Sequence, residues 1–119
     1  MEHHRRLDSE LDVLRDRVLV LGGEAEAALV RAMYALTERD SGAAREVLEG
    51  DDAIDQLEVE IDRLCVDVLA LRQPAARDLR FVISVAKITP ILERVADYVT
   101  DICELTVYMT EAAVIKHSY

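Results

Sequence analysis

Apolar residues recur at alternating spacings of three and four along most of the chain, a pattern typical of amphipathic helices packed in a bundle. The first series is Leu7, Leu11, Leu14, Val18, Leu21, Ala25, Ala28, Ala32 and Ala35. The second is Val47, Ile54, Leu57, Ile61, Leu64, Val68 and Leu71, and the third is Phe81, Val85, Ile88, Leu92, Val95, Val99, Ile102 and Met109. The three series predict helices over residues 5–39, 43–72 and 75–114. The first continues in phase across Gly22-Gly23, so we expect one helix there despite the glycines.

Two short connections separate the three predicted helices. Asp40-Ser41-Gly42 has turn chemistry and offers an N-cap to the second helix. Gln73-Pro74 ends the second helix, because proline cannot continue a helix but suits the first turn of the next one. Short connections force neighbouring helices to run antiparallel. The predicted fold is therefore all-α, an up-down-up antiparallel three-helix bundle that forms a single domain over residues 1–119.

Composition agrees with this fold and narrows the partners. Aromatic residues are 4% of the chain and there are only four glycines and two prolines, which excludes collagen-like and low-complexity sequences. The net charge of −10 disfavours nucleic acid and anionic membrane surfaces and favours cations or a basic partner.

Cys65 and Cys103 lie within apolar segments and are expected to be reduced core thiols. With no signal peptide and no apolar run long enough to span a bilayer, we expect a cytoplasmic protein without membrane insertion.

Acidic residues form one stripe on each of the last two helices. The stripes are Asp51, Asp55, Glu58 and Asp62, and Glu93, Asp97, Asp101 and Glu104. With the turn centred at Gln73-Pro74, antiparallel neighbours have residue numbers that sum to about 147. Asp51 and Asp55 then lie beside Glu93 and Asp97. Four carboxylates at one height offer an all-oxygen site to a hard cation, although a chain with 24 acidic residues also brings some together by chance.

The histidines argue against one kind of metal site. A di-iron centre in a helical bundle needs Glu-x-x-His on two of its helices. His3, His4 and His117 all lie at the ends of the chain. A ferritin-like oxidase centre is therefore not expected.

Three motifs resemble those of the PhoU family of phosphate-transport regulators. The segment LRQPAARDLR, residues 71–80, is similar to the family's RQPVAxDLR turn. Lys87-Ile88 with LERVAD, residues 92–97, resembles its KI…LERIGD motif, and DAIDQLE, residues 52–58, resembles its D-x-I-D-x-L-E stretch. Typical members carry two three-helix bundles in tandem, so the resemblance implies a complete single-repeat member.

The resemblance also implies a function and a ligand set. It implies a regulatory adaptor, not an enzyme, that contacts the ATPase of the phosphate ABC transporter and a sensor kinase. It implies binding of iron, zinc, manganese or magnesium through paired E(D)-x-x-x-D motifs, which fall on Asp51–Asp55 and Glu93–Asp97. Asp101 stands where the family usually has asparagine and adds a fifth candidate ligand. No catalytic and no organic cofactor-binding residue is predicted.

Two other functions remain open at this point. One is a magnesium-dependent nucleotide pyrophosphohydrolase of the MazG type, which also gathers acidic residues on bundle helices. The positions Glu58, Glu60 and Asp62 do not share one helix face, and no basic cluster is placed for a triphosphate, which argues against it. The other is a purely structural helical oligomerisation module.

Apolar residues outside the three series predict self-association. They are Val13, Val20, Leu29 and Met33 on the first helix, Leu48 on the second, and Val82, Ile83, Ile91 and Val107 on the third. Some of them close the bundle, but an apolar strip left over is unusual on a soluble monomer. We expect a twofold homodimer in which the first or the third helix packs against its symmetry mate.

Overall fold

The computed structural model describes the backbone of residues 2–118 and the side chains of residues 5–112. It contains four helices in this range: α1 (Glu2–Glu38), α2 (Ser41–Glu49), α3 (Asp51–Leu71) and α4 (Ala76–Ser118). α2 and α3 follow one another and both pack between α1 and α4. Together they form the second arm of an up-down-up three-helix bundle, which confirms the predicted fold class.

The second arm is interrupted at Gly50, where the sequence predicts one continuous helix. Gly50 keeps helical dihedral angles (φ −82°, ψ −5°), but its N–H donates to the carbonyl of Val47 at 3.1 Å, three residues back. Such a bond tightens the turn relative to an α-helix. Glycine has a low helix propensity, so an interruption of the helix costs less free energy at Gly50 than at its neighbours.

The turn between α1 and α2 forms as its residues predict. Arg39 adopts the left-handed conformation that often ends a helix, with a φ of 54°. The side chain of Asp40 then caps α2 by accepting a hydrogen bond from the backbone N–H of Ala43 at 3.0 Å. The chain reverses within four residues, which places α2 antiparallel to the end of α1.

The turn between α3 and α4 is joined by an ion pair to the N-terminal part of α1. Gln73 and Ala76 have positive φ angles of 47° and 50°, and Pro74 is buried between them. Arg72 donates from Nε and Nη2 to the carboxylate of Glu10, at 3.1 Å and 2.9 Å. Both side chains are mostly shielded from solvent. Arg72 therefore has a structural role, joining the start of α1 to the end of α3.

The bundle is long and thin, with extents of 73 × 18 × 18 Å. On α1 the predicted series is the core: all its members are buried except Val18, which is half-buried. Side chains at these positions fill the space between the three helices and form a narrow core along the bundle axis. Since there is no second layer, each helix buries one stripe and exposes the rest.

On α3 and α4 the buried stripe lies one residue later than predicted at several positions. Leu57, Leu64, Val95 and Ile102 are half-buried, whereas Glu58, Cys65, Ala96 and Cys103 are buried in their place. Ile88, Met109 and Leu71 are exposed, which corrects their assignment to the core. At Cys65, Ala96 and Cys103 a small side chain takes the buried position, and the larger residue before it flanks the contact line. A prediction based on the spacing of large apolar residues therefore places the buried stripe slightly to one side of the true contact line.

Two threonines belong to this line of contact on α4. Thr89 and Thr106 are almost fully buried. Their hydroxyls donate to the carbonyls of Val85 and Ile102, one turn back, both at 2.8 Å. A buried hydroxyl without a partner is destabilising, and these bonds remove that cost. Thr89 and Thr106 thus pack like small apolar residues.

The expectation of reduced core thiols is met. Cys65 and Cys103 are buried and free, and burial raises the pKa of both thiols above its usual value. Across the residues that the structure describes, no helix carries an apolar stretch long enough to cross a membrane.

The break at Gly50 leads to a stability prediction. Its φ and ψ are open to any residue, and a Cβ there meets only the carbonyl oxygens of Val47 and Glu46, at 3.5 Å and 3.9 Å. Gly50→Ala should therefore raise the free energy of unfolding by about 0.5–1 kcal/mol through helix propensity. Urea unfolding followed by circular dichroism measures the change. A loss of stability would show that the junction needs glycine.

Candidate metal centre

Five carboxylates lie along the groove between α3 and α4, close enough for their charges to act on one another. Asp51, Asp55 and Glu58 lie on one side of α3, and the charges of Glu93 and Asp97 on α4 act on this side. The four residues that the register predicted are thus close in space. Asp101 is exposed further along α4 and contributes to neither of the two raised pKa values described below. The structure therefore does not bring Asp101 into the group formed by the other five.

Glu58 is the residue of this cluster that is most deeply buried. Its side chain occupies a core position between Ile54 and Ile61, and the residue is only 7% exposed. Its Oε1 atom is buried and has no hydrogen-bond partner among the described residues. Burial, followed by the negative charges of Glu93, Asp55, Asp97 and Asp51, raises the pKa of Glu58 to about 7. The carboxyl of Glu58 therefore binds a proton readily near neutral pH.

Asp51, in the first turn of α3, is also perturbed. A helix N-terminus normally stabilises a carboxylate. Here burial, then the charges of Asp55, Asp97 and Asp52, still raises the pKa of Asp51 above its usual value. Both pKa shifts have burial as their largest cause and neighbouring carboxylates as the next, so the charged forms of Glu58 and Asp51 are the unfavourable ones.

No basic side chain neutralises this charge within the described part of the chain. The ion pairs found there lie elsewhere: Arg17 with Glu60, Arg72 with Glu10, Arg45 with Glu111, and two pairs confined to α1. Carboxylate oxygens without a cationic partner are the donor set that hard cations prefer. Asp55, Glu93 and Asp97 are exposed and free to reorient. Among the described side chains, no three acidic, histidine or cysteine groups converge into a preformed metal site.

In the sequence, Glu58 belongs to the acidic stripe of the second predicted helix but is not among the predicted metal ligands. Spacing alone pairs Asp51 with Asp55 and Glu93 with Asp97 and leaves Glu58 as one more acid. One signal was available in the sequence. Ile54 and Ile61 are seven residues apart on the buried side of the helix, so either residue 57 or residue 58 must also face inward. Leu57 was the apolar choice, but the helix instead turns Glu58 inward.

The buried carboxyl gives a pH-dependent prediction. Because the folded-state pKa of Glu58 lies above its ordinary value, its contribution is most favourable in acid and is lost as pH rises from about 4.5 to 7. Glu58→Gln, which mimics the neutral form, should stabilise the metal-free protein at about pH 8, by on the order of 2 kcal/mol, and have little effect at about pH 4.5. Urea unfolding with a chelator present measures both values.

The matched control for this experiment is Asp67→Asn, which removes one exposed carboxylate from the same helix. Its effect on stability should stay small and change little between the two pH values. A loss of stability in Glu58→Gln at high pH, or a difference that ignores pH, would contradict the raised pKa.

Comparison with known proteins identifies the family. The sequence model described as the PhoU domain matches residues 18–106. A Pseudomonas putida relative named phosphate-specific transport system accessory protein PhoU homolog is 42% identical over 113 residues, which is 93% of this chain and 44% of the relative. The Escherichia coli K12 protein named phosphate-specific transport system accessory protein PhoU is 40% identical over 98 residues, 82% of this chain and 41% of the relative.

A solved structure agrees with the sequence comparisons. The crystal structure of PhoU from Pseudomonas aeruginosa superposes with a TM-score of 0.84 at 41% identity, covering 88% of this chain and 50% of the other. The chain spans less than half the length of the two curated relatives described above. Since the domain match covers most of the chain and its helices superpose on those of a solved member, the protein belongs to the PhoU family.

Proposed function

We propose that this chain is a metal-binding accessory protein that regulates phosphate uptake and phosphate-starvation signalling through protein contacts in the cytoplasm. The observation that carries the proposal is the match to the PhoU domain over residues 18–106. Its relatives are named accessory proteins of the phosphate-specific transport system. By this resemblance its partners are the ATPase of the phosphate transporter and a sensor kinase, and its role is regulatory and not enzymatic.

The carboxylate cluster supports the metal-binding part of the proposal. Glu58 provides a buried oxygen atom without a hydrogen-bond partner, and Asp51, Asp55, Glu93 and Asp97 surround it with negative charge. An all-oxygen donor set suits magnesium, manganese or iron better than zinc, which prefers nitrogen and sulfur ligands. A bound ion supplies positive charge between α3 and α4. These five side chains would then hold the two helices together where they now repel.

This effect connects the metal to the proposed regulation. Repulsion across the groove between α3 and α4 weakens their packing in the absence of a cation. When it is neutralised, the two helices present one fixed surface to a partner. We therefore propose that the metal sets the shape of the adaptor and carries out no chemistry, and that the adaptor acts as a homodimer.

Metal binding is tested by thermal unfolding with and without manganese or magnesium. A ligand present at about 100 times its Kd stabilises a folded protein by about 2.7 kcal/mol, which is a shift of several degrees in a chain of this size. The double variant Glu93→Gln/Asp97→Asn should lose this shift. It should also unfold at a higher temperature than wild type without metal, because charge repulsion is removed.

Asp8→Asn/Glu26→Gln is the matched control, since it removes two exposed carboxylates from α1 and changes the net charge equally. It should keep the metal-induced shift. Wild-type protein that gains no stability from any of the divalent ions at millimolar concentration would rule out the metal site. Release of pyrophosphate from nucleoside triphosphates with magnesium would instead identify an enzyme.

The adaptor role is tested with the phosphate-transporter ATPase encoded in the same genome. We expect the purified chain to bind this subunit in isothermal titration calorimetry, and deletion of the gene to raise phosphate uptake in phosphate-rich medium. Complementation with wild type should restore the lower uptake. If neither binding nor uptake responds, the regulatory proposal fails, whatever the result of the metal experiment.

A further inference from the structure

α3 carries a second row of side chains beside the one it buries. The row contains Asp55, Val59, Asp62, Val66 and Leu69, which follow one another at alternating steps of four and three residues. Such spacing keeps side chains on one side of a helix. All five are exposed. Glu60, which pairs with Arg17 of α1, lies on the other side of α3, so this row borders the groove toward α4.

α4 carries a matching row. It contains Leu79, Ile83, Ala86, Pro90, Glu93 and Asp97, again at alternating steps of four and three residues. The charges of Glu93 and Asp97 act on Glu58 of α3, so this row faces the same groove. Leu79 is half-buried and the other five residues are exposed. We call the two rows together the α3–α4 face.

The α3–α4 face has an apolar half and an acidic half. The apolar half lies toward the turn between α3 and α4, and its large side chains are 39% to 62% exposed: Val59, Val66, Leu69 and Ile83. At roughly 80 Å² each they offer on the order of 300 Å², which reaches the size of the largest apolar patch on a typical monomer. The acidic half lies toward Gly50 and contains Asp55, Glu93 and Asp97, with Asp51 beside them. Neither row contains a basic residue.

The dimensions and spacing of this face suit one helix. The α3 row extends from residue 55 to residue 69, which is about 21 Å or four turns of helix. Two neighbouring helices that each present a stripe with three-and-four spacing form the groove into which another helix packs in a four-helix bundle. Amphipathic helices bind such grooves through their apolar side. The face is therefore shaped for a partner helix of about four turns.

The acidic half determines the charge of that partner. The ion pairs among the described residues include none of Asp51, Asp55, Glu93 and Asp97. Beside them, the buried Oε1 of Glu58 has no hydrogen-bond donor within the described part of the chain. Lysine and arginine bring both positive charge and N–H donors. A partner helix with basic residues at this end would therefore compensate charges that the bundle itself leaves uncompensated.

A second copy of this chain does not have the required charge. A twofold axis parallel to the bundle would set the acidic half of one copy against the acidic half of the other, where like charges repel. A twofold axis across the bundle would set the acidic half against the apolar half, where carboxylates lose water without gaining a partner. Both arrangements are unfavourable, so the occupant that fits is a different chain.

We propose that the α3–α4 face is the docking site for one amphipathic helix of a partner protein. The apolar side chains of that helix pack on the apolar half of the face, and lysine or arginine residues at one of its ends meet the acidic half. This inference goes beyond the proposed function, because it assigns a surface and a partner chemistry and requires neither a bound metal nor the transporter ATPase.

Selection from a displayed library of helical peptides tests the proposal. The peptides have about 20 residues, enough to span the face with a turn to spare. The target is the full chain in the presence of a chelator, because a bound cation would neutralise the same carboxylates. Enriched peptides should combine an apolar row in one half with lysine or arginine in the other. Their dissociation constants are then measured by fluorescence anisotropy.

The apolar half is tested with a matched pair of valines. Val66→Lys should raise the dissociation constant of the enriched peptides by about tenfold or more, because it places a charge within the apolar contact. Val30→Lys is the control, since Val30 on α1 is 63% exposed and Val66 is 62% exposed. It should bind the peptides like wild type. Circular dichroism verifies that both variants keep their helices.

The acidic half is tested by removing charge. Asp55→Asn/Asp97→Asn should weaken peptide binding at low salt and reduce its dependence on salt concentration, because fewer charge pairs remain to be screened. Asp8→Asn/Glu26→Gln changes the net charge equally on α1 and should leave both properties as in wild type.

The proposal is overturned if the selection enriches no helix, or if the enriched peptides bind Val66→Lys and Val30→Lys equally well. Enriched peptides without basic residues, or with an affinity that ignores Asp55→Asn/Asp97→Asn, would also contradict it. Association of wild-type chains that Val66→Lys abolishes would show that a second copy occupies the face instead. Failure of metal binding or of ATPase binding leaves these measurements unaffected, so the two proposals fail separately.

Discussion

Three helices packed side by side enclose only a narrow core along the bundle axis, and most features of this protein depend on that constraint. The bundle is 73 Å long and 18 Å wide, so no residue is far from solvent and each helix buries a single stripe. On α4, Ala96, Cys103 and the back-bonded threonines Thr89 and Thr106 lie on the line of contact, where their small side chains allow close helix approach. Several larger apolar side chains lie instead at the edges of the grooves, namely Leu57, Leu64, Val95 and Ile102. A thin core therefore creates both partly exposed apolar rows and partly buried charges.

The two grooves beside α4 show these opposite results of the same geometry. On the α3 side, carboxylates line the edge and one of them, Glu58, is turned into the core, where its charge has no compensating partner among the described residues. On the α1 side, aliphatic and aromatic side chains line the edge and remain open to solvent. The groove between α3 and α4 has no cationic side chain paired with its carboxylates among the described residues, and the groove between α1 and α4 exposes apolar side chains to solvent. α4 therefore borders two grooves of opposite character, one acidic and one apolar.

Sequence alone was sufficient for the fold class and the two turns, and its register placed Asp51, Asp55, Glu93 and Asp97 along one groove, where their charges act on Glu58. These follow from periodicity, turn chemistry and antiparallel register, which all act locally or through simple geometry. The break at Gly50 and the inward turn of Glu58 were not predicted. The break is a local change of backbone hydrogen bonding, and the choice between Leu57 and Glu58 depends on the orientation of the helix about its axis; a list of apolar positions resolves neither. Asp101 was included because of its spacing, but it lies outside the group that acts on Glu58 and Asp51.

The interruption at Gly50 also divides the molecule lengthwise, and the two cysteines lie one on each side of it. Cys65 is on α3, while Cys103 lies on α4 at the height of α2. Both thiols are buried and protonated, so each reacts with an alkylating reagent only when its own part of the bundle opens. The protein thus carries two intrinsic probes of local unfolding. Their relative labelling rates report whether the part of the bundle that contains α3 and the part that contains α2 open together or independently.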